Sequence, residues 1–544
     1  MALVPEAVRF FFILQPGVVK SAPEHLMSDN PPDQPRRRIG QKILLGLFCL
    51  VLLSFFAVLV MNMSDKGGLN RFERQWEAKG EHFDFASFIP KPVPDDQNFA
   101  LTPILASSYE EMLDKNGHEI VPRRTNIVNR LGMELYGNNS LLHYPTNGGS
   151  WAMGTKTDLK ALQLYYRALA AKTNEFPVAP QAQSPAADVL LALSKYDEPV
   201  EELRQAAALP YSRFPLNYEN EPPTYILLPH LAALKKCSQV LQLRAVAELQ
   251  NGQSDKALAD VKLLLRLADS IRTEPILISH LVRIALLNPG LQPVWEGLAD
   301  HKWSDAQLTE LNQGLARLDF LADYEFSMRG ERAMSMAQIE YVRRSRNLNW
   351  ASDENNPTPG VAQVAFHLVP NSVFYQNELM IARAHQQWIL PVADVERRTV
   401  SPALTRLVAT NLDMAFSHWS PNNLLARMML PALARTSQKF AYAQSAVDMA
   451  RVACALERYR LAQGEYPESL DALSPRLIET VPHDVIGGQP LKYHRAGNGQ
   501  FALYSVGWNG TDDGGAVVSR KPSKLTIDYD NGDWVWPGQV MGSQ

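Results

Sequence analysis

From Ile43 to Met61 the chain reads ILLGLFCLVLLSFFAVLVM, without a charge and interrupted in its apolar character only by Gly46 and Ser54. As a helix rising about 1.5 Å per residue, this run spans about 28 Å, close to the hydrocarbon thickness of a bilayer. A buried helix of a soluble core rarely lacks a polar face over so many turns. A secretory signal peptide has a shorter apolar region and a small-x-small cleavage site, whereas this run closes with VMNMSDKGG. The pattern predicts a single uncleaved transmembrane anchor over 39–63. Arg36, Arg37, Arg38 and Lys42 precede it, and only Lys66 and Arg71 follow closely. The positive-inside rule then puts the N-terminus in the cytoplasm and everything after about residue 64 on the other side. Residues 1–38 read as a disordered cytoplasmic tail. Met27 is an alternative start, which makes 1–26 an over-extended gene start; the other reading is a genuine apolar patch, VRFFFIL, too short to span.

Beyond the anchor the periodicity changes. LNRFERQWEAKG predicts a juxtamembrane helix, and IPKPVPDDQNFALTP predicts an extended, polyproline-like strap within an irregular stretch over 64–155. Helical spacing dominates 156–435. TDLKALQLYYRALAAKT is amphipathic, ADVLLALSKYDEPVEELRQAAAL follows, and YILLPHLAALKKCSQVLQLRAVAELQ runs into Asn251-Gly252, a helix stop. DKALADVKLLLRLADSI resumes at once; this helix–turn–helix resembles half of a tetratricopeptide-type repeat, without a 34-residue period. WSDAQLTEL opens another helix with Ser304 as N-cap, Gln307 at the capping-box position and a buried stripe of Leu308, Leu311, Leu315 and Leu318. Glu325, Arg329, Glu331, Arg332 and Glu340 read as the solvated face of a further helix, with ion pairs at helical spacing. Residues 346–360 predict a loop, with helices again near 371–390 and 401–434. The expected fold class is mainly α: one transmembrane helix, a solenoid-like region of helical hairpins, and a small C-terminal α+β domain over 436–544.

Composition narrows the function classes. The chain has 544 residues, 46% hydrophobic and 20% charged, with a formal net charge of −4. That is enough apolar material for real cores, and the mild acidity gives no electrostatic footprint for nucleic acid. Cys49, Cys237 and Cys454 cannot form a disulfide framework and read as small hydrophobes, with a Cys237–Cys454 pair left open. His118-Glu119 does not continue as a zinc motif. GGSWAMGTK has the glycines of a phosphate loop but places Thr155 before Lys156, and reads as a turn. Gly148-x-Ser150-x-Ala152 lacks the strand–turn–helix frame of a nucleophile elbow. The histidines, His230, His280, His301, His367, His385 and His418 among them, are scattered singly. No catalytic residue is assigned.

The last hundred residues differ. A long helix, with Val447, Val452, Leu456 and Tyr459 on its apolar face, stops at Gly464. QPLKYHR and QFALYSVG, separated by Ala496-Gly497-Asn498-Gly499, predict a β-hairpin. In order, Tyr459, Gly464, Tyr466, Pro467, Pro482, Asp484, Gly487 or Gly488, Pro490, Tyr493, Tyr504, Ser505, Gly507, Asn509 and Gly510 fit the C-terminal pattern of type II secretion major pseudopilins (general secretion pathway protein G), which this region resembles. The match covers about a fifth of the chain. A pseudopilin carries its membrane helix directly before this region, behind a prepilin-peptidase site. Here no such site is present and the anchor lies far upstream, so the resemblance implies a pseudopilin-like module rather than a pilus subunit. In that family the loop after the hairpin binds Ca²⁺. The counterpart here is WNGTDDGG, where Asn509, Thr511, Asp512 and Asp513, with Asp533 folding back, are the candidate ligands. The alternative is a hydrogen-bonded turn in which Asn-Gly supplies positive φ.

Together these readings lead to an expectation. The chain is a membrane-anchored extracytoplasmic protein of a bacterial inner membrane, with protein partners on its helical region, no nucleic-acid partner and a non-enzymatic role. The alternatives are a membrane-tethered envelope hydrolase and an accessory component of a type II secretion-like system.

Overall fold

The computed structural model describes residues 35–106, 131–137, 142–145, 148–220, 222–347, 360–496, 499–521 and 524–538. Residues 1–34, with Met27 and the VRFFFIL patch, lie outside the described residues, as do His118-Glu119, most of the 346–360 loop and the Gly497-Asn498 turn. The chain divides into Met1–Val60 and Met61–Gln544. In the first, the described residues belong to helix α1 (Pro35–Glu77), which is long and apolar enough to cross a membrane. Among the described residues its apolar side chains have no protein cover: Leu44 is 72% exposed and Phe55 68%. In water such a surface is strongly unfavourable; in lipid it is the expected one.

In the second unit α1 turns amphipathic, and Leu69 and Phe72 enter the core. The helix ends at Glu77, and Gly80 adopts positive φ to redirect the chain. Ile89 and Pro94 adopt polyproline-like angles, as the strap's prolines predict. Past Pro94 the strap departs from that reading. FALTPIL forms tight turns and the short helix α2 (Pro103–Ala106), and Phe99, Ala100, Ile104 and Leu105 are fully buried. Asn98 fixes this entry by donating to Arg213 O (2.9 Å) and accepting from Arg213 N (2.9 Å).

Helices α3 (Leu159–Ala170), α4 (Pro185–Leu193), α5 (Asp197–Ala206), α6 (Pro229–Gln250) and α7 (Ser254–Asp269) pack with the strap around one cluster of apolar side chains. Helix α8 (Leu277–Ala299) packs on both α6 and α7. Helix α9 (Asp305–Ala316) starts with the expected Ser304–Gln307 capping box, and Leu308, Leu311, Leu315 and Leu318 are buried. Helix α10 (Phe320–Ser345) follows, then α11 (Gly360–His367), α12 (Asn371–Ala384), α13 (Pro402–Ala415) and α14 (Leu424–Met429), with the two-residue strands β1 (Ala393–Asp394) and β2 (Thr399–Val400) between α12 and α13.

The centre of this unit is α15 (Thr436–Gln463). The sequence suggests one buried face, and Val447, Val452 and Leu456 are indeed fully buried. So are residues around the whole circumference, including Ala441, Ala446, Ala450 and Ala455. Alanine lets neighbouring backbones approach from every side. Helices α8, α9 and α10 cover one part of α15, and the C-terminal strands cover another. There β3 (Lys492–Ala496), β4 (Gln500–Ser505) and β7 (Trp534–Trp536) form an antiparallel sheet in the order β3-β4-β7. The predicted hairpin pairs Lys492 with Tyr504 and Ala496 with Gln500. A second hairpin, β5 (Val517–Lys521) with β6 (Lys524–Gly532), rises between β4 and β7.

Candidate functional site

The C-terminal loop is positioned by α15 and the β4–β7 pair. Gly464 closes α15 in the left-handed conformation (φ 84°), its N–H donating to Arg460 O. Behind it, Glu457 accepts from the Tyr466 hydroxyl (2.9 Å), from Arg460 Nε (2.8 Å) and Nη2 (2.7 Å), and pairs with His301 Nδ1 (2.9 Å). Burial pushes this carboxyl up, but those bonds outweigh it and hold it below the usual range. The cavity beside Glu457, lined also by Trp295, His301 and Trp536, holds about 20 Å³, room for a single water. Tyr493 donates to Pro467 O (2.7 Å). Asp484 accepts from Ile486 N (2.9 Å), Ser505 Oγ (2.7 Å) and Val506 N (2.9 Å).

Past Ser505 the chain must turn sharply beside β7. At Gly507 φ is 67°, and a Cβ there would lie 2.3 Å from Gly532 O. Trp508 then stacks on Trp534, with centroids 6.2 Å apart and planes 18° apart. The candidate ligands follow. Asn509 Oδ1 accepts from Thr511 N (3.0 Å), and its amide donates to Asp513 Oδ2 (2.8 Å). Asp512 Oδ1 accepts from the Tyr504 hydroxyl (3.1 Å) and Gly514 N (3.1 Å), while Asp512 Oδ2 pairs with Lys492 Nζ (3.1 Å). Asp533 lies against the loop, accepting from Asp513 N (3.3 Å) and Gly515 N (2.6 Å). Burial raises the Asp533 carboxyl, and the nearby charges of Asp513 and Asp512 add to the rise.

Asn509, Thr511, Asp512 and Asp513 lie in one loop, and Asp533, between β6 and β7, lies against it. Oxygens of Asn509, Asp512 and Asp533 accept from backbone N–H groups, Asp513 Oδ2 accepts from the Asn509 amide, and a lysine ammonium sits against Asp512. Among the described residues, no three acidic, histidine or cysteine side chains converge to hold a metal ion. Ca²⁺ takes six to eight oxygens, and one oxygen of Asp512 is here shared with Lys492.

Three polar clusters escape the sequence reading. First, His230 Nε2 lies 2.8 Å from Glu274 Oε1, and the Ser279 hydroxyl donates to the other Glu274 oxygen. Serine, glutamate and histidine suggest a nucleophile set, but the serine bonds the carboxylate rather than the imidazole that would activate it. All three are buried, and Phe214 stacks on His230 at 4.1 Å. The neighbouring His280 accepts a structural place too: burial, then the Arg283 charge, hold it down at about 3, so it is neutral. His385 is likewise buried, bonded through Nδ1 to Ile381 O and held at about 3 by burial.

Second, Arg329 and Arg332 do not form a solvated face. Glu81, four residues past α1, accepts from Arg329 Nε (3.1 Å) and Nη2 (2.9 Å) and from Arg332 Nη2 (2.9 Å). Arg332 is fully buried, its guanidinium 4.3 Å above the Phe83 ring. The ion pairs expected along α10 are present as Glu325–Arg329 (2.9 Å) and Glu340–Arg343 (2.6 Å). Third, Glu378 on α12 is 5% exposed, and among the described residues its Oε1 has no hydrogen-bond partner. Burial pushes its carboxyl up to about 8, and the charges of Glu340 and Glu73 push the same way against Arg343. No sequence motif signals any of the three clusters, because each draws on partners from distant segments.

Cys237 and Cys454 are buried, unpaired thiols in separate apolar clusters, both pushed up to about 12 by burial. Compared with protein-family models, curated proteins and solved structures, the chain has no significant match.

Proposed function

We propose that this chain is a single-pass inner-membrane protein of a bacterial envelope, with its C-terminal bulk outside the cytoplasm, and that it acts as a non-enzymatic scaffold. The observation that carries this reading is the bare apolar surface of α1 leading into a unit in which several buried charged groups tie distant segments together. Glu457, Asp484 and Arg332 each hold one segment to another, as described above. The helical region offers a surface to a protein partner on α13, where Leu404, Leu407 and Met414 are exposed at helical spacing, 39%, 53% and 61% respectively. In this proposal the pseudopilin-like module is structural, and its loop is a hydrogen-bonded turn rather than a calcium cage.

Protease accessibility tests the placement. A tag after Gln544 is expected to be digested in spheroplasts and to survive in intact cells; survival in spheroplasts refutes it. Recovery of no stable partner from solubilised membranes removes the scaffold role. For the loop, titrating the full-length protein in detergent with millimolar Ca²⁺ is expected to give no saturable heat and no rise in melting temperature. A saturable heat that Asp512→Asn abolishes restores the cation.

A further inference from the structure

The corner where the chain leaves the apolar run has a second apolar feature. Asn62, the residue after Met61, accepts from Ser372 N (2.6 Å), and Asp65 Oδ2 accepts from Gln376 Nε2 (2.9 Å). The start of α12 is thus fixed at the end of the membrane run. Leu368 lies four residues before Ser372, a separation of at most about 14 Å along the chain. It is 82% exposed, and Val364 on α11 is 68% exposed. These side chains do not dangle from a loose segment. Phe366 and Val369 pack on the core, Phe366 meets Phe374 edge-on at 5.8 Å, and Arg346 Nη1 donates to Val369 O (2.6 Å). A third apolar point is tied to α12 as well. Asn377 Nδ2 donates to Pro421 O (3.0 Å), two residues after Trp419, which is 63% exposed.

We infer that α11 with Leu368, together with the Trp419 tip, forms a foot that lies in the headgroup–acyl boundary of the membrane in which the chain is anchored. The inference rests on reading Ile43–Met61 as the spanning segment. Its occupant is lipid because of where the foot sits. A surface tied to the first residue beyond the hydrocarbon faces headgroups before any other partner. The side-chain types agree. Val364 and Leu368 are exposed aliphatic side chains, and tryptophan is the residue enriched at this depth.

The test uses the full-length protein with one labelled thiol at a time, since Cys237 and Cys454 are buried. An environment-sensitive fluorophore is placed on Leu368→Cys or Trp419→Cys with Cys49→Ser, on native Cys49 as the span control, and on Asn251→Cys in the exposed α6–α7 turn as the water control. Each is reconstituted into phosphatidylethanolamine–phosphatidylglycerol vesicles containing headgroup-proximal doxyl lipid. The Leu368 label is expected to lose at least about half its fluorescence, as befits a site some 5–10 Å into the boundary, while the Asn251 label is unaffected. A Leu368 label no more quenched than Asn251, beside a quenched Cys49 label, overturns the foot and leaves the anchor standing. An unquenched Cys49 label overturns both. Leu368 is exposed, so the substitution does not put folding at stake.

Discussion

Replacing Glu81 tests whether the segment after the anchor is locked to the body by charge. Its side chain is 11% exposed, Arg332 0% and Arg329 30%. Removing one member of a buried ion pair costs about 3–5 kcal/mol, because the partner charge stays buried. Two features reduce that figure here. Arg332 keeps acceptors in His82 O (2.5 Å) and the Gln386 side chain, and Arg329 has a path to water. The expected loss is about 3 kcal/mol for Glu81→Ala and about 2 kcal/mol for Glu81→Gln, which retains an acceptor. Urea unfolding of the full chain in detergent, followed by tryptophan fluorescence, reads it as a shifted midpoint at constant slope. The pH dependence supplies a second arm. Burial alone pushes the Glu81 carboxyl up, but the bonds from Arg329 and Arg332 outweigh it and hold it below the usual range. The unfolded carboxyl titrates near about 4.3. The stabilisation is therefore complete above that pH and is lost as pH falls through the lower folded value. The gap between wild type and Glu81→Gln should close as the solution is acidified below about pH 4. A Glu81→Gln cost under about 0.5 kcal/mol at neutral pH refutes the clamp, since that is the range of an ordinary surface substitution.

Glu378 should behave with the opposite sign. Its folded carboxyl titrates at about 8, above the unfolded value, so its stabilising contribution is full in acid and declines as pH rises towards 8. Glu378→Gln should flatten the stability–pH curve between pH 5 and 8 and raise stability at pH 8 by on the order of 2 kcal/mol; superimposable slopes for the two proteins would discard the idea. Two glycines separate conformational strain from collision. At Gly464, with φ 84° and no atom within 4 Å of an added Cβ, alanine should cost only about 1 kcal/mol, the left-handed penalty. Gly507→Ala, with its Cβ against Gly532 O, should cost at least about 3 kcal/mol and weaken the β4–β7 pairing; equal melting temperatures for the two variants would contradict the close approach.

What the sequence made legible is local. The apolar run of α1, the Ser304–Gln307 capping box and the β3–β4 hairpin are signalled within a few residues of themselves. Helix α8 was harder, because Pro289 and Pro293 fall inside it and interrupt the pattern that would announce it. The all-round burial of α15 was hidden by its alanines, which carry almost no hydropathic signal yet permit the closest packing. Arg332 shows the same limit for charge. On α10 it has the spacing of a solvated ion-pair face, but its carboxylate partner stands 251 residues earlier. The loop residues Asn509–Asp513 and Asp533 were recognisable as a group of oxygens. Whether such a group cages an ion or closes a turn depends on where backbone N–H groups and Lys492 stand, and no spacing rule contains that.

The placement of α15 bears on how much the pseudopilin resemblance can carry. The matching residues are spent on holding turns together: Tyr466 on Glu457, Tyr493 on Pro467 O, Ser505 on Asp484. The helix itself serves two sides at once. Tyr442 meets Trp534 edge-on at 5.4 Å on the side of the strands. Phe440 meets Tyr324 at 5.5 Å, and Gln444 Oε1 accepts from Phe320 N (2.8 Å), on the side of α10. Asp448 and Arg451 extend that second stripe to Arg398 and Asn312. A fragment of residues 436–544 would bare Phe440 and its neighbours, forfeiting about 2 kcal/mol for each large apolar side chain exposed. It should therefore bind a hydrophobic dye and associate with itself. A monomeric fragment that melts cooperatively and binds no dye would mean that the strands alone suffice to order α15, and that the helical body is an attachment rather than part of its core.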